Sequence, residues 1–249
     1  MKKILVFTYG VICYAIFFGT FLYAAGFMGN IFVPKSIDSG ATVPLGAALV
    51  INAALLGLFA VQHSVMARQG FKKLLTKIIP AAAERSTYVL LSSVCLILLF
   101  AYWQPMGGVI WDVQDATGRA ILYALFTFGW LLVLVTTFLI NHFDLFGLRQ
   151  VWLYLRGKEY RPLGFVTPGP YKHVRHPLYV GWLFAFWATP VMTVAHLVFA
   201  LATTAYILLA IRLEERDLME IHGEAYKTYR RQVPMLIPAG RKELTLQES

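Results

Sequence analysis

Four stretches of the chain run with almost no polar interruption: Ile4–Gly29, Val43–Met66, Ser86–Trp103 and Ala120–Asn141. A helix needs about 20 mostly apolar residues to cross the hydrocarbon core of a bilayer, so each stretch predicts a transmembrane helix. Two shorter apolar runs follow, Leu178–Thr193 and His196–Ile211, with only Val194 and Ala195 between them. They predict a helical hairpin that crosses the membrane barely, or enters and returns. The runs are continuous rather than alternating, which argues against a β-barrel. The first is too long and too uniformly apolar for a secretory signal, and no small-residue cleavage site closes it. Arg68–Pro80 is basic and amphipathic, the pattern of a helix lying along the membrane surface. Beyond Arg212 the chain turns polar and predicts a cytoplasmic C-terminal helix. The expected fold is therefore an all-α polytopic membrane protein: four clear transmembrane helices, a short C-terminal helical hairpin and that last helix. Two segments are expected, residues 1–141 with an interfacial helix near 68–80, and residues 142–249 carrying the chemistry.

Composition agrees with this pattern and narrows it. Hydrophobic residues make up 58% of the 249 positions, charged residues 14%, and the mean hydropathy is +0.62. A soluble domain carries about 25% charged residues, so this chain cannot clothe a water-soluble globule, nor is it disordered. Cys13 and Cys95 both sit inside apolar runs and read as small core residues rather than a disulfide framework. The net charge of +9 would suggest nucleic acid in a soluble protein. Its placement says otherwise. With a cytoplasmic N-terminus, the inside segments 1–3, 67–85, 142–177 and 212–249 hold 20 of the 22 basic residues, and only Lys35 and Arg119 lie outside. This asymmetry predicts an inner-membrane, multi-pass protein with both termini cytoplasmic. The charge then serves topology and contact with anionic membrane lipids, not nucleic acid. No obligate protein partner is evident.

The sizeable aqueous segments, 142–177 and 212–249, are where polar chemistry concentrates. GFVTPGPYKHVRHPLYVG (164–181) is rich in glycine and proline, carries two histidines and two tyrosines, and leads straight into an apolar helix. Irregular backbone beside a membrane is tolerated where it lines a cavity. Pro177 suits the first turn of the helix, whose free N–H groups would face a carboxylate in front of them. At the end of the last apolar run stand Arg212, Glu214, Glu215, Arg216 and Asp217. Glu214 and Glu215 point in different directions on a helix, so only one need face a pocket; Arg212 and Arg216 can neutralise one each. Gln62, His63, Ser64 and Arg68 close the second span, and Asn141, His142 and Asp144 the fourth. No dinucleotide or P-loop motif, no CxxC and no HExxH occurs, and His173 and His176 alone make no metal site.

Gly169-Pro-Tyr171…Arg175-His176-Pro177-x-Tyr179-x-Gly181, followed by Glu214-Glu215…Gly223-x-x-Tyr226-x-x-Tyr229…Val233-Pro234…Pro238, resembles the signature of the isoprenylcysteine carboxyl methyltransferase and phospholipid methyltransferase superfamily. Gln62-His63-Ser64-x-Met66-Ala-Arg68 and Asn141-His142-Phe143-Asp144-Leu-Phe-Gly147-Leu148 resemble the branch that holds the bacterial methanethiol S-methyltransferases and the NnrU-like membrane proteins. The resemblance makes 142–249 a methyltransferase core and implies S-adenosyl-L-methionine bound at the cytoplasmic face. Phe165, Val166, Tyr171, His176, Pro177, Leu178 and Tyr179 would line it, with Glu214 or Glu215 on its amino group or ribose. The residues suit that molecule: tyrosine faces for the sulfonium, a carboxylate for the ammonium, helix-start N–H groups for the carboxylate.

The branch implies methylation of a small thiol, methanethiol to dimethyl sulfide. Alternatives are a prenylcysteine carboxylate or a phospholipid amine as acceptor, or a non-enzymatic NnrU-like membrane factor. A related sterol reductase would need a nicotinamide site, and no basic cluster serves one. Methyl transfer is an in-line displacement governed by positioning; what the site must add is a thiolate, since even a cysteine thiol has a pKa of about 8.5. His63 or His142 is expected as base, with Arg212 as electrostatic partner and Ser64, Asn141 and Arg212 contacting the acceptor.

Overall fold

With apolar side chains along the long runs and no water in a bilayer core, the backbone must bond to itself, and helices satisfy that segment by segment. The protein, seen in a computed structural model, is described for residues 1–238. Positions 239–249, and with them the expected placement of the C-terminus, lie outside the described residues. Ten α-helices follow in order: α1 Lys2–Gly29, α2 Leu45–Met66, α3 Gln69–Leu75, α4 Glu84–Tyr102, α5 Ala116–Ile140, α6 His142–Leu145, α7 Leu148–Leu155, α8 Pro177–Trp187, α9 Val194–His222 and α10 Glu224–Gln232. Two short 3₁₀ turns, Ala81–Ala83 and Gly169–Lys172, and two short strands, β1 Val109–Asp112 and β2 Val191–Thr193, complete the set.

The all-α membrane fold holds, with five rather than four helices long and apolar enough to span: α1, α2, α4 with the turn before it, α5 and α9. The second arm of the hairpin, read as ending at Ile211, continues unbroken to His222 as a 29-residue helix. Nothing in its sequence breaks it until Gly223, whose φ of 54° and ψ of −129° suit glycine and turn the chain into α10. α9 thereby carries Arg212–Asp217 out of the apolar zone as a rigid extension. The first arm, α8, has 11 residues and about 16 Å of length, too little to cross alone. Ala188–Pro190 extend it, and β2 then pairs antiparallel with β1 in the α4–α5 connection, Val109 opposite Thr193 and Asp112 opposite Val191. The hairpin therefore runs the depth of the bundle.

Helix alternation sets the starts of α1, α4 and α8 and the ends of α2, α5 and α9 at one end, called here the Met1 end. The main core is at the heart of the bundle, where Phe27, Leu99, Trp103, Phe126, Trp130, Phe186, Phe199 and Ile211 form one buried cluster. Small residues let α5 and α8 come into backbone contact, as is common between membrane helices. A Cβ added at Gly129 would stand 2.6 Å from the Ala185 nitrogen, and one at Gly181 would stand 2.8 Å from the Gly129 carbonyl oxygen. This contact fixes where the N-terminus of α8 points.

Candidate active site

Pro177 opens α8 at the Met1 end, and its N-cap, His176, makes no side-chain cap. The N–H groups of Leu178 and Tyr179 therefore face outward from the first turn without a capping side chain. The segment before α8 is strapped down along its length. The Arg175 and His176 amides donate to the carbonyls of Pro234 (2.8 Å) and Met235 (3.2 Å). The Tyr229 hydroxyl donates to the Tyr171 carbonyl at 2.6 Å. The Phe165 ring packs against His222, Tyr226 and Tyr229. Burial pushes the phenols of Tyr171, Tyr226 and Tyr229 up, the last to about 12, so all three remain neutral donors near pH 7.

The adjacent carboxylates separate cleanly. Glu215 is buried and saturated: Oε1 accepts from Arg175 Nε at 2.7 Å and from His176 Nε2 at 3.0 Å, and Oε2 meets Arg230 Nε at 3.0 Å. Arg175 also donates to the carbonyls of Arg230 and Val233, so one guanidinium locks α9, α10 and the start of α8 together. A buried charge is retained only with such partners. Glu214 lies about 100° round the helix, half-exposed, and accepts a hydrogen bond from the Tyr179 hydroxyl at 3.0 Å. His176 Nδ1 is 4.0 Å from it. Glu214 is thus the carboxylate with capacity left for a bound cation.

A second group faces this one from α2, α4 and α9. The Tyr88 hydroxyl lies 3.0 Å from His63 Nδ1 and 2.9 Å from Nε2, and Ser92 Oγ is 3.2 Å from Nδ1. Ser64 Oγ and the Tyr206 hydroxyl are 3.0 Å apart. The Phe59 ring stacks on His63 at 5.1 Å and meets Tyr206 edge-on at 6.2 Å. Arg68 pairs with Asp217 at 3.0 Å. The phenols of Tyr88, Tyr179 and Tyr206 lie within electrostatic reach of one another, and Glu214 within reach of Tyr88 and Tyr179. His63, Ser64, Tyr179 and Glu214 therefore belong to one neighbourhood.

Several expected residues do not join it. His142 is 2% exposed. Thr137 Oγ1, which donates to Leu134 O, accepts from its Nδ1 at 2.7 Å, while Tyr14 OH donates to Nε2 at 2.8 Å. Phe138 stacks on its ring at 4.1 Å, and burial lowers its pKa. It is a satisfied neutral core histidine with no nitrogen for a substrate. Asn141, at φ 137°, spends its side chain capping α6, accepting from Asp144 N at 3.0 Å. Arg212 is exposed and lies roughly 160° round α9 from Glu214. Neither Arg212 nor Arg216 neutralises the two glutamates: Arg216 pairs with Glu220, and Glu215 takes Arg175 and Arg230. Phe165 serves the strap, and Val166 is 59% exposed. Two open clefts lie between α1 and α5 toward the other end, lined by groups such as Leu22, Gly26, Tyr123 and Phe126, and no expected site residue lines them. No group of three or more potential metal ligands occurs among the described residues.

Sequence reasoning passed over Arg175, Arg230, Tyr88, Tyr206 and Tyr226. Arg175 stood inside the recognised motif and Tyr226 in the second block. Tyr88 and Tyr206 gave one signal only, a lone phenol in an apolar helix. The Tyr226 hydroxyl is buried, has no hydrogen-bond partner among the described residues, and lies within electrostatic reach of Glu214 and Glu215.

The sequence profile of a family described as phospholipid methyltransferase matches residues 119–225. A methanethiol S-methyltransferase of Crocosphaera subtropica is 60% identical over 238 residues, covering 96% of this chain and 93% of that protein. One of Mycobacterium tuberculosis is 53% identical, covering 96% of this chain and 98% of that protein. Nurim of Xenopus laevis is 31% identical over 72% of this chain and 65% of its own length. No solved structure matches the chain.

Proposed function

The chain belongs to the phospholipid methyltransferase family, alongside the methanethiol S-methyltransferases, and on that premise we propose that this membrane methyltransferase transfers a methyl group from S-adenosyl-L-methionine to methanethiol, releasing dimethyl sulfide. The observation that carries the reading is the division between Glu214 and Glu215. One carboxylate is saturated and builds the site, and its neighbour is left half-exposed beside a tyrosine and the uncapped start of α8.

The donor set fits S-adenosylmethionine. Glu214 would hold the ammonium, the N–H groups of Leu178 and Tyr179 the carboxylate, and the unpartnered Tyr226 hydroxyl offers one further polar contact. Tyr171 and Tyr179 offer π-faces to a cation. When bound, this molecule supplies a methyl group made electrophilic by its sulfonium. His176 and Pro177 act indirectly, His176 through Glu215 and Pro177 by setting the first turn of α8. The segment before α8, the start of α8, Glu214 and α10 make the donor side; α2 and α4, with Tyr206 of α9, supply the acceptor side.

His63 takes the role of base. Ser92 Oγ stands at Nδ1 and the Tyr88 hydroxyl within reach of both ring nitrogens, so the hydroxyl can stay on the Nδ1 side and leave Nε2 to a thiol. The acceptor's S–H proton passes to His63, its sulfur forms the new S–CH₃ bond, and the methyl's bond to the donor sulfur breaks. General-base help of this kind contributes ~10²–10⁴ in rate. Ser64 and Tyr206 flank the approach. Both termini are placed on the cytoplasmic side of the inner membrane, a reading supported by the 20-to-2 division of basic residues.

An acceptor panel tests the reading. Protein in nanodiscs with S-adenosylmethionine should release dimethyl sulfide from methanethiol and should methylate neither a phospholipid amine nor a prenylcysteine carboxylate. Turnover of either lipid in preference to the thiol would refute it.

A further inference from the structure

The α2–α9 boundary is closed on its membrane side by few contacts, and one of them reaches into the acceptor neighbourhood. Phe59 precedes His63 by four residues on α2, one turn or about 6 Å deeper in the membrane. Its ring stacks on the imidazole at 5.1 Å and stands edge-on to Tyr206 at 6.2 Å. The Ser64–Tyr206 hydrogen bond and the Arg68–Asp217 ion pair close the same boundary toward the Met1 end. Leu58 and Val61, on either side of Phe59 in sequence, are 47% and 64% exposed and face outward, so Phe59 is the apolar side chain that α2 turns toward His63 from below.

We propose that Phe59 is the specificity-determining residue for acceptor size. The inference rests on the thiol reading above and names what limits it. A thiol sulfur at His63 must direct its carbon chain away from the polar Met1 end, toward the apolar interior, because burying that chain is favourable and burying the sulfur's polar partners is not. In that direction stands the Phe59 ring. A single methyl group asks the least room beside it; each further methylene meets the ring or forces it off His63. The same ring, with Tyr206, bars a lipid-length chain from entering between α2 and α9. Acceptor selection is therefore steric and lies in one side chain, while the chemistry stays with its neighbours.

The test is kcat/KM for straight-chain thiols from methanethiol to hexanethiol, measured on wild type, Phe59→Leu and Phe59→Ala in nanodiscs, with donor affinity measured alongside. Each methylene newly admitted to an apolar site is worth about fourfold. The ratio of pentanethiol to methanethiol should rise by at least about tenfold in Phe59→Ala and by less in Phe59→Leu. Because it is a ratio within one variant, a general loss of activity does not mimic it. A Phe59→Ala protein that binds donor as wild type does and shows an unchanged ratio overturns the proposal; if Phe59→Ala does not fold, an unchanged ratio in Phe59→Leu does so. A wild type that binds donor and leaves methanethiol unmethylated overturns the functional reading, and this inference with it, a result distinguishable from a wild type active on methanethiol with unaltered selectivity in the variants.

Discussion

Two helix boundaries meet at the site, and they are built in opposite ways. α5 and α8 touch backbone to backbone at Gly129 and Gly181, where no side chain intervenes. α2 and α9 touch through the ends of side chains: an aromatic edge, one hydroxyl pair and one half-exposed ion pair. Backbone contact fixes α8, and the buried Glu215 cluster then fixes α9 and α10 against it. That side presents a rigid set of donors, as holding a large, many-handled molecule in one orientation requires. The other side is held loosely and is free to adjust around something small. The difference teaches that in a site of this kind the precision is invested where the donor is held, and the acceptor is chosen by the room left over.

Breaking the rigid side should cost most. Glu215→Ala leaves Arg175 and Arg230 facing each other without their carboxylate, and loss of one partner of a buried ion pair costs about 3–5 kcal/mol. Thermal unfolding in detergent should show it, together with loss of donor binding; a protein of wild-type stability would mean the cluster does not hold α8 and α9 together.

Gly181→Ala sharpens the comparison at smaller cost. Its Cβ meets the Gly129 carbonyl at 2.8 Å, and overpacking of this kind costs about 1–3 kcal/mol. The matched substitution on α2, Gly57→Ala, places a Cβ where nothing lies within 4 Å. It should leave stability unchanged or raise it by up to about 1 kcal/mol, since glycine disfavours helix interiors. Equal effects of the two alanines would erase the distinction between the boundaries.

The smallest effect is expected from Arg68→Ala. Its side chain and that of Asp217 are 41% and 44% exposed, and such pairs are worth about 0–1 kcal/mol. Melting temperature should barely move; a loss comparable to Glu215→Ala would show α2 and α9 to be as firmly joined as α5 and α8.

Much of the architecture was legible in the sequence because hydropathy is a local property. Every expected long span is present, and the short run after Pro177 did prove to be one arm of a hairpin. The length of α9 was not legible, since an apolar run ends where charge begins, whereas a helix ends where the backbone turns, at Gly223. The pairing of β1 with β2 carried no alternating pattern to reveal it. In the site, motif spacing located the α8 start and the glutamate pair but could not divide Glu214 from Glu215. Neighbours on a helix differ only in direction, and direction has meaning only against packing partners. Arg212 shows the same limit from the other side: only two residues before the pair in sequence, it stands exposed on the far side of α9. His63 and His142 occupy equivalent places at helix ends and part only in three dimensions, one beside Tyr88, Ser92 and Phe59, the other enclosed by Tyr14, Thr137 and Phe138.

The central claim is that donor and acceptor are held by different boundaries, Glu214 serving one and His63 the other. The most direct test is calorimetric titration of S-adenosylmethionine into Glu214→Gln and His63→Ala proteins, side by side with wild type. Losing a hydrogen bond to a charged group costs about 1.5–3 kcal/mol, roughly ten- to a hundredfold in affinity. The account predicts that loss in Glu214→Gln and wild-type affinity in His63→Ala. Unchanged binding in Glu214→Gln, or an equal loss in both, would contradict it.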